Sequence, residues 1–505
     1  MMSHSIRPTL FDNCTLSLVL ATLGVAIATA QAAIVMSVSF GDGMVLQRDA
    51  PIRVFGQASE GAVVTVQLHG QQDTATSQSG TWMATLNPMP AGGPYDLTIS
   101  GDGTDLAYSD VMLGEVWLAS GQSNMAMALQ GTKGSAQYLP TGPTPTLRFL
   151  KIPVTEFGEI NRKRVSWTHA SPETAKTFSA VAYFFGVELQ KRLGVTVGII
   201  GSYRGATWNE NWMTAESIKE TPTLKYLFDK YDAEYARFAD EAAYESAYQA
   251  YLEKMTAWRA KGGWSYGMVP FAPLGPKAYQ RPSGLYECMI KPLQPYSIKG
   301  CIWYQGEGNS ARHEEFRTLF PAFVRGWRDS WQSPDMPFYF VQLPPYKDKT
   351  WPFFRQAQLD CAKSIRNCGL VVSEGCGDPI DIHPKTKKPI GDRLAVAVSA
   401  EVYGHAHIPF GPVYDSVSFD GKRATVSFDY ADKGLAVRSE STKAFEIAGA
   451  DKVYAIASFK LDEERLVLWN DDIPAPRYVR YAFKPNPGLC LFNLDGLPAS
   501  PFTSE

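Results

Sequence analysis

The chain of 505 residues lacks the features that mark several classes of protein. It has no run of Lys or Arg, and 48 basic residues stand against 51 acidic ones, for a formal net charge of −3. Nucleic-acid binding needs a basic patch, so that function is not indicated. Cysteine is scarce, with 7 residues and no C-x-x-C pair, so no zinc site of that type is expected. We therefore predict no nucleic-acid partner, no metal and no cofactor.

Long apolar runs are also missing, except for one near the N-terminus. Residues 15–30 read TLSLVLATLGVAIATA, a stretch that is short for a membrane span. Small residues follow in an A-x-A pattern, so we predict a secretory signal in residues 1–32, cleaved after Ala30 or Ala32. The mature protein would then be exported, to the periplasm or outside the cell, with no membrane span. Six cysteines would remain, an even number that permits disulfides without requiring them: Cys288, Cys301, Cys361, Cys368, Cys376 and Cys490.

The remaining chain divides into three segments that differ in their pattern of apolar and polar residues. Residues 33–110 alternate apolar and polar positions between Gly and Pro turns, which predicts a small antiparallel β domain. Residues 111–405 alternate near-continuous apolar strands such as VMLGEVWLAS with helices, which predicts an α/β domain with a mainly parallel sheet. Within it, residues 222–261 have long charged helices, interpreted as an insertion or lid. Residues 406–505 return to a β-rich pattern.

Four polar clusters each follow a buried strand of the predicted sheet. They are GQSN (121–124), GSYRGATWNENW (201–212), WYQGEGN (303–309) and DPIDIHP (378–384). Ligands of open α/β sheets bind beyond the carboxyl ends of the strands, so we expect these loops to meet there. The sequence thus predicts one site built from four loops.

The clusters hold the residue types that a serine esterase needs. Such an enzyme requires a nucleophile, a base, an acid that orients the base, and hydrogen-bond donors for the oxyanion. Ser123 is the candidate nucleophile, His383 the base and Asp381 the orienting acid. Each residue alone has a plainer interpretation, as a turn, a helix cap or a residue that precedes a helix. Their joint placement after successive strands favours catalysis.

The oxyanion donors are predicted in the same loops. The backbone N–H of Ser123 lies in the nucleophile turn, and Gly205 offers a second one because no side chain blocks close approach. Asn309 or Gln305 would supply a side-chain N–H. One such donor is worth on the order of 10²–10³ in rate, so these residues matter as much as the acid.

Three blocks resemble a known family. GEVWLASGQSNM, WYQGEGN and DIHP are similar to the signature blocks of the sialate O-acetylesterase family, a branch of the SGNH hydrolases, and the resemblance extends over nearly the whole mature chain. It implies an α/β fold with a flavodoxin-like SGNH-hydrolase parallel sheet, flanked by N- and C-terminal β-rich domains. It also implies Ser-His-Asp hydrolysis of carbohydrate acetyl esters without a metal. By motif, Ser123 is the nucleophile, His383 the base and Asp381 its partner, with Asp378 as the alternative acid.

Substrate contacts are also predicted in these loops. Arg204 stands where the family commonly has glycine, and it either binds a substrate carboxylate, such as that of sialic acid, or forms a structural ion pair. Trp208, Tyr304 and Glu307 are further candidates for lining a sugar pocket. The resemblance therefore predicts an exported serine esterase whose partner is an acetylated carbohydrate, most simply an O-acetylated sialic acid.

Two alternatives stay open at this point. The same catalytic set would serve an acetyl esterase for xylan or another polysaccharide, because a fold does not determine the substrate. An exported carbohydrate-binding protein with an inactive hydrolase site is the alternative from another class. The presence of every catalytic residue type argues against the second.

Overall fold

The computed structural model describes residues 34–155, 165–262, 269–438, 442–488 and 490–505. The predicted signal segment, residues 1–32, lies outside these ranges. Within them, no helix is both long and apolar enough to span a bilayer. The six cysteines beyond the predicted signal are all free thiols.

The N-terminal region consists of short strands whose side chains alternate between inside and outside. The strands are β1 (Val35–Met36), β2 (Val45–Gln47), β3 (Ile52–Gln57), β4 (Val63–Leu68), β5 (Gln71–Thr76), β6 (Thr81–Leu86), β7 (Gly92–Gly101) and β8 (Thr104–Gly121). In β6, for example, Trp82, Ala84 and Leu86 are buried and the residues between them are exposed. This period of two places one apolar face on the core, as strand geometry requires. The pairings β1-β3-β6 and β5-β4-β7-β8 are antiparallel.

The central region is a parallel sheet. Its further strands are β9 (Thr144–Lys151), β10 (Thr168–Ala170), β11 (Val197–Tyr203), β12 (Gly300–Tyr304), β13 (Phe338–Val341) and β14 (Cys368–Val371). The strand order is β10-β9-β11-β8-β12-β13-β14, and every pairing is parallel except that of the edge strand β10. Strands β11, β12 and β13 are buried at every position, as expected for strands covered on both faces.

Helices cover both faces of this sheet. They are α1 (Ser123–Ala126), α2 (Pro172–Thr177), α3 (Ala180–Leu193), α4 (Ala215–Glu220), α5 (Tyr226–Tyr235), α6 (Glu241–Ala260), α7 (His313–Ser330), α8 (Trp351–Ser364) and α9 (Lys388–Glu401). Residues of α3 and α9 share one buried apolar cluster, and those of α7 and α8 belong to another. The predicted mixed α/β class is therefore confirmed. Helices α5 and α6 lie in the segment predicted as a helical insertion.

Strand β8 connects the N-terminal strands to the central sheet without a break. Its first half pairs antiparallel with β7, and residues 115–121 pair parallel with β11 and, from Trp117, with β12. Burial changes at the same point, from alternating to continuous. This explains why the pattern of apolar and polar residues changes at residue 111, because a strand covered on both faces needs apolar residues at every position.

The C-terminal region returns to antiparallel strands. They are β15 (Val413–Asp420), β16 (Arg423–Asp429), β17 (Leu435–Val437), β18 (Phe445–Ala448), β19 (Ala455–Ile456), β20 (Ser458–Asp462), β21 (Arg465–Trp469), β22 (Tyr478–Tyr481), β23 (Leu491–Asn493) and β24 (Phe502–Thr503). They form sheets with the orders β15-β16-β21-β20, β17-β23 and β19-β18-β22-β24. Three of the four polar clusters, by contrast, begin at the carboxyl ends of the adjacent strands β8, β11 and β12, so the candidate site lies on the central sheet.

Candidate active site

The turn after β8 presents Ser123 at the carboxyl edge of the sheet. Gly121 ends β8 with φ +136°, and a Cβ at this position would lie 2.2 Å from the backbone oxygen of Tyr304. Only glycine fits both the backbone conformation and the close approach of β12. The chain then enters the short helix α1, whose first residue is Ser123.

Ser123 contacts His383 directly. The Oγ of Ser123 lies 2.8 Å from Nε2 of His383, which is in the loop between β14 and α9. Burial lowers the pKa of His383; the Asp381 charge raises it and the Lys387 charge lowers it. The net shift is downward, so the imidazole is neutral at neutral pH and Nε2 can accept the hydroxyl proton.

The two candidate acids hold the backbone of the same loop. Asp381 Oδ1 accepts the backbone N–H of His383 at 2.8 Å. Asp378 Oδ1 accepts the backbone N–H groups of Ile380 and Asp381 at 2.9 and 3.0 Å, and these bonds lower the pKa of Asp378. Of the two, Asp381 is the one whose charge acts on the His383 ring. Its orienting role remains a prediction.

The backbone of two residues can serve an oxyanion. Within the described ranges, the backbone N–H groups of Ser123 and Gly205 have no hydrogen-bond acceptor, and both residues are partly exposed. Ala206, which follows Gly205, has φ +56°, a left-handed conformation that costs a non-glycine residue on the order of 1–3 kcal/mol. The loop after β11 thus holds a strained backbone beside the predicted donor.

The two side-chain amides near this edge have different roles. The amide nitrogen of Gln305 donates to the Thr207 carbonyl at 3.2 Å and to Asn309 Oδ1 at 2.7 Å, so both of its N–H groups are in use. This contradicts the predicted donor role of Gln305. The Oδ1 of Asn309 also accepts the backbone N–H of Asn209 at 2.9 Å, and its Nδ2 donates to Glu210 Oε2 at 2.9 Å. The described residues thus occupy one N–H of Asn309, and its oxyanion role stays a prediction.

A partly buried ion pair contacts Asn309. Glu210, 6% exposed, accepts from Asn309 through Oε2 and from Arg312 Nη2 through Oε1. Arg312 also pairs with Glu315 at 2.5 Å and donates to the Tyr226 hydroxyl of α5 at 3.2 Å. The sequence reasoning missed Glu210 and Arg312. Glu210 lies inside the cluster at 201–212, but a carboxylate in a polar loop does not itself indicate a partner.

A second buried network lies behind the nucleophile. Asn124 accepts from Lys387 Nζ at 2.6 Å through Oδ1, and its Nδ2 donates to the Ile382 carbonyl at 3.0 Å and to Glu307 Oε1. Burial lowers the pKa of Lys387 to about 8 and raises that of Glu307. Neither Asn124 nor Lys387 was predicted from the sequence, although both lie in or beside the polar clusters.

The predicted substrate contacts separate into two groups. Arg204 and Trp208 are partly exposed; the Arg204 guanidinium stacks 3.7 Å from the Tyr279 ring centre, and Trp208 stacks on the half-exposed Phe271 at 6.2 Å. Their contact with a ligand stays a prediction.

Tyr304 and Glu307 are not placed to contact a ligand, which contradicts the contacts predicted for them. Tyr304 is fully buried because β12 is covered on both faces. The carboxylate of Glu307 is turned inward onto Asn124, and its Oε2 atom is buried as well.

Comparisons with known proteins agree on one group of esterases. Residues 246–400 match the family model described as carbohydrate esterase, sialic acid-specific acetylesterase. The chain is 28% identical over 451 residues to the sialate O-acetylesterase of Rattus norvegicus, covering 80% of each chain. It is 27% identical over 451 residues to that of Homo sapiens, covering 80% of this chain and 78% of the human one. The crystal structure of a carbohydrate acetylesterase from Xanthomonas citri is similar with a TM-score of 0.78 and 32% identity, over 94% of this chain and 99% of the other.

Proposed function

This chain belongs to the sialate O-acetylesterase family of carbohydrate esterases, and we propose that it removes O-acetyl groups from carbohydrates, with O-acetylated sialic acids as the substrate class. The observation that carries the proposal is the 2.8 Å contact between Ser123 Oγ and His383 Nε2. Acyl transfer by a serine hydrolase uses a nucleophile and a base at this distance, which supports these roles for Ser123 and His383.

The proposed reaction has two half-reactions. His383 Nε2 takes the Ser123 proton as Oγ attacks the acetyl carbonyl, and the backbone N–H groups of Ser123 and Gly205, with Nδ2 of Asn309, bind the oxyanion. The tetrahedral intermediate collapses, the ester C–O bond breaks, and His383 returns the proton to the sugar oxygen. Water, deprotonated by His383, then attacks the acetyl-serine, so that acetate leaves and Ser123 regains its proton. Asp381 stabilises the imidazolium through its charge.

Arg204 supports sialic acid as the preferred sugar. The residue is partly exposed although its Nη1 atom is buried, and its guanidinium lies over the ring of Tyr279, next to Gly205 in the chain. A fixed guanidinium matches a carboxylate, which sialic acid carries and neutral sugars do not. We therefore expect Arg204→Ala to raise KM for a sialate ester about tenfold or more while leaving a neutral aryl acetate unchanged, a loss of about 1.4 kcal/mol or more.

The matched control for Arg204 is Arg237→Ala, since Arg237 is 74% exposed and forms an ion pair with Glu234 near the end of α5. It should change neither KM. Equal effects of Arg204→Ala on both substrates would contradict carboxylate recognition.

The main test measures acetate released from mono-O-acetylated sialic acid. Wild type should release acetate and Ser123→Ala should not, while Ser416→Ala, an exposed serine of β15, should match wild type. No release by wild type, with an aryl acetate still cleaved, would move the substrate to another acetylated glycan such as xylan. No reaction on either ester, together with no labelling by a serine-directed fluorophosphonate, would favour an inactive carbohydrate-binding protein.

We also propose export and a flavodoxin-like hydrolase unit over residues 111–405. Export is supported by the apolar segment and the small residues of 15–32. N-terminal sequencing of the secreted protein tests it, with Gln31 or Ala33 expected as the first residue. A first residue upstream of the apolar segment would contradict it.

A further inference from the structure

A single amide connects the loops that carry the proposed nucleophile and base. Asn124, which is fully buried, follows Ser123 directly in the chain, and its Nδ2 donates to the carbonyl of Ile382, the residue before His383. The neighbours of the two reacting groups are therefore bonded to each other at 3.0 Å. A 180° turn of the Asn124 amide would break this bond, which joins the neighbours of the two residues in the 2.8 Å contact between Ser123 and His383.

Lys387 determines that orientation. An ammonium group can only donate, so the Asn124 atom that lies 2.6 Å from Lys387 Nζ must be the amide oxygen. The amide nitrogen then faces the Ile382 carbonyl and the Glu307 carboxylate, both of which can only accept when Glu307 is ionised. A turn of the amide by 180° would place N–H groups against the ammonium and an oxygen against two acceptors.

The charges around this amide are arranged to match its dipole. The positive Lys387 lies at the oxygen end and the negative Glu307 at the nitrogen end. Lys387 is 1% exposed and also faces the Tyr304 ring at 5.2 Å. The other titratable groups that act on it are Cys376, Asp381 and His383. Removing either charge alone would leave the other buried without compensation, which is strongly unfavourable.

We propose that Lys387 is a positioning residue for hydrolysis: it fixes the Asn124 amide, and through it the register of the Ser123 turn with the His383 loop. The proposal rests on the proposed function. It adds a requirement that the catalytic contact itself does not contain, since the hydrogen bond of Lys387 among the described residues goes to Asn124 and not to Ser123.

The test compares Lys387→Met with Lys388→Met. Methionine keeps the length of the side chain without its charge, and Lys388 is the adjacent lysine, 43% exposed and paired with Asp392. Lys387→Met should lower kcat for an aryl acetate by about 10²-fold, the order expected for a misplaced reacting group, with KM within about threefold. The rate of labelling by a fluorophosphonate should fall by a similar factor. Lys388→Met should match wild type in both.

A double variant separates positioning from folding. Lys387→Met with Glu307→Gln removes both buried charges, so its Tm should return to within a few degrees of wild type even if that of Lys387→Met falls. Its kcat should stay low, because the two charged groups no longer select an amide orientation and, of the three partners, the Ile382 carbonyl alone still favours the present one. A double variant with wild-type kcat, or Lys387→Met with wild-type kcat and labelling rate, would overturn the proposal.

The pH profile gives an independent readout. The pKa of Lys387 is lowered to about 8 by burial, and above that pH the neutral amine no longer requires an oxygen opposite it. Wild-type kcat should decline above about pH 8, and Lys387→Met should lack that decline. The labelling arm needs no acetyl ester, so it distinguishes failure of this proposal from a wrong assignment of the substrate.

Discussion

Glu210→Gln tests how Asn309, the proposed oxyanion donor, is held. The two oxygens of Glu210 accept from two donors, Asn309 Nδ2 at 2.9 Å and Arg312 Nη2. Glutamine has the same shape but one oxygen and one NH₂ group, so it can satisfy only one of these donors. The Arg312 guanidinium carries the charge and takes the oxygen, which leaves an NH₂ group facing the Asn309 NH₂ group. Asn309 must then turn or shift.

The magnitude follows from the contact that is lost. A hydrogen bond to a charged group contributes about 1.5–3 kcal/mol. At about 1.4 kcal/mol for each factor of ten, kcat/KM for an aryl acetate should fall by about 10- to 100-fold. The upper limit is the value of one oxyanion donor, on the order of 10²–10³, because Glu210 acts through Asn309 alone.

The control and a double variant show whether Glu210 acts through Asn309. Glu315→Gln removes the other carboxylate on Arg312 but touches no oxyanion donor, so it should stay within about threefold of wild type. Glu210→Gln combined with Asn309→Ala should be no slower than Asn309→Ala alone, because residues that act as a unit are not additive. Additive losses, or a Glu210→Gln variant as fast as wild type, would refute the reasoning.

Three further predictions concern the turn, the base and the C-terminal region. Gly121→Ala should lower the free energy of unfolding by about 2–5 kcal/mol in denaturant titrations, through the strain of φ +136° and a Cβ 2.2 Å from the Tyr304 oxygen. The acid limb of the kcat/KM profile should have its midpoint below 6.5, because burial lowers the pKa of His383 and activity rises as the imidazole loses its proton. Arg355→Met should lower the free energy of unfolding by about 3 kcal/mol or more, because three carbonyls lose a buried donor at about 1 kcal/mol each.

The outcomes that would contradict these predictions are specific. Gly131→Ala is the control for the turn, since its Cβ would meet nothing closer than 3.6 Å, and a Gly121 variant as stable as it would be contrary evidence. A midpoint at pH 7 or above would contradict the neutral base. Arg366→Met is the control for the buried arginine, because Arg366 is 80% exposed, and equal stability of the two variants would contradict the role of the three carbonyls.

Local signals in the chain were enough to predict the class of fold and the strand ends at which three of the polar clusters lie. Alternating residues predicted the half-exposed strands, and continuous apolar runs predicted the buried parallel ones, because burial on one or two faces determines which residues a strand tolerates. The mixed α/β class follows from that pattern and is confirmed. The clusters at 121–124, 201–212 and 303–309 do begin at adjacent strand ends.

The boundary between the N-terminal and central regions was harder to predict from the sequence. The pattern of apolar and polar residues changes at residue 111, but β8 continues through that point as one strand. A change of burial along a single strand produces the same sequence signal as a change of domain. Pairing partners are needed to tell them apart, and those are distant in sequence.

Residue types and motifs by themselves pointed to Ser123, His383 and the loops around them, because acyl transfer needs those groups in strand-end turns. Only the tertiary structure decided which amide can donate: Gln305 and Asn309 have the same functional group four residues apart, and the neighbours that reach each one differ. It also decided that Glu307 and Tyr304 face inward and that Lys387 is buried against Asn124. The direction of a hydrogen bond depends on which loop approaches from across the sheet, and that approach is a property of the folded chain.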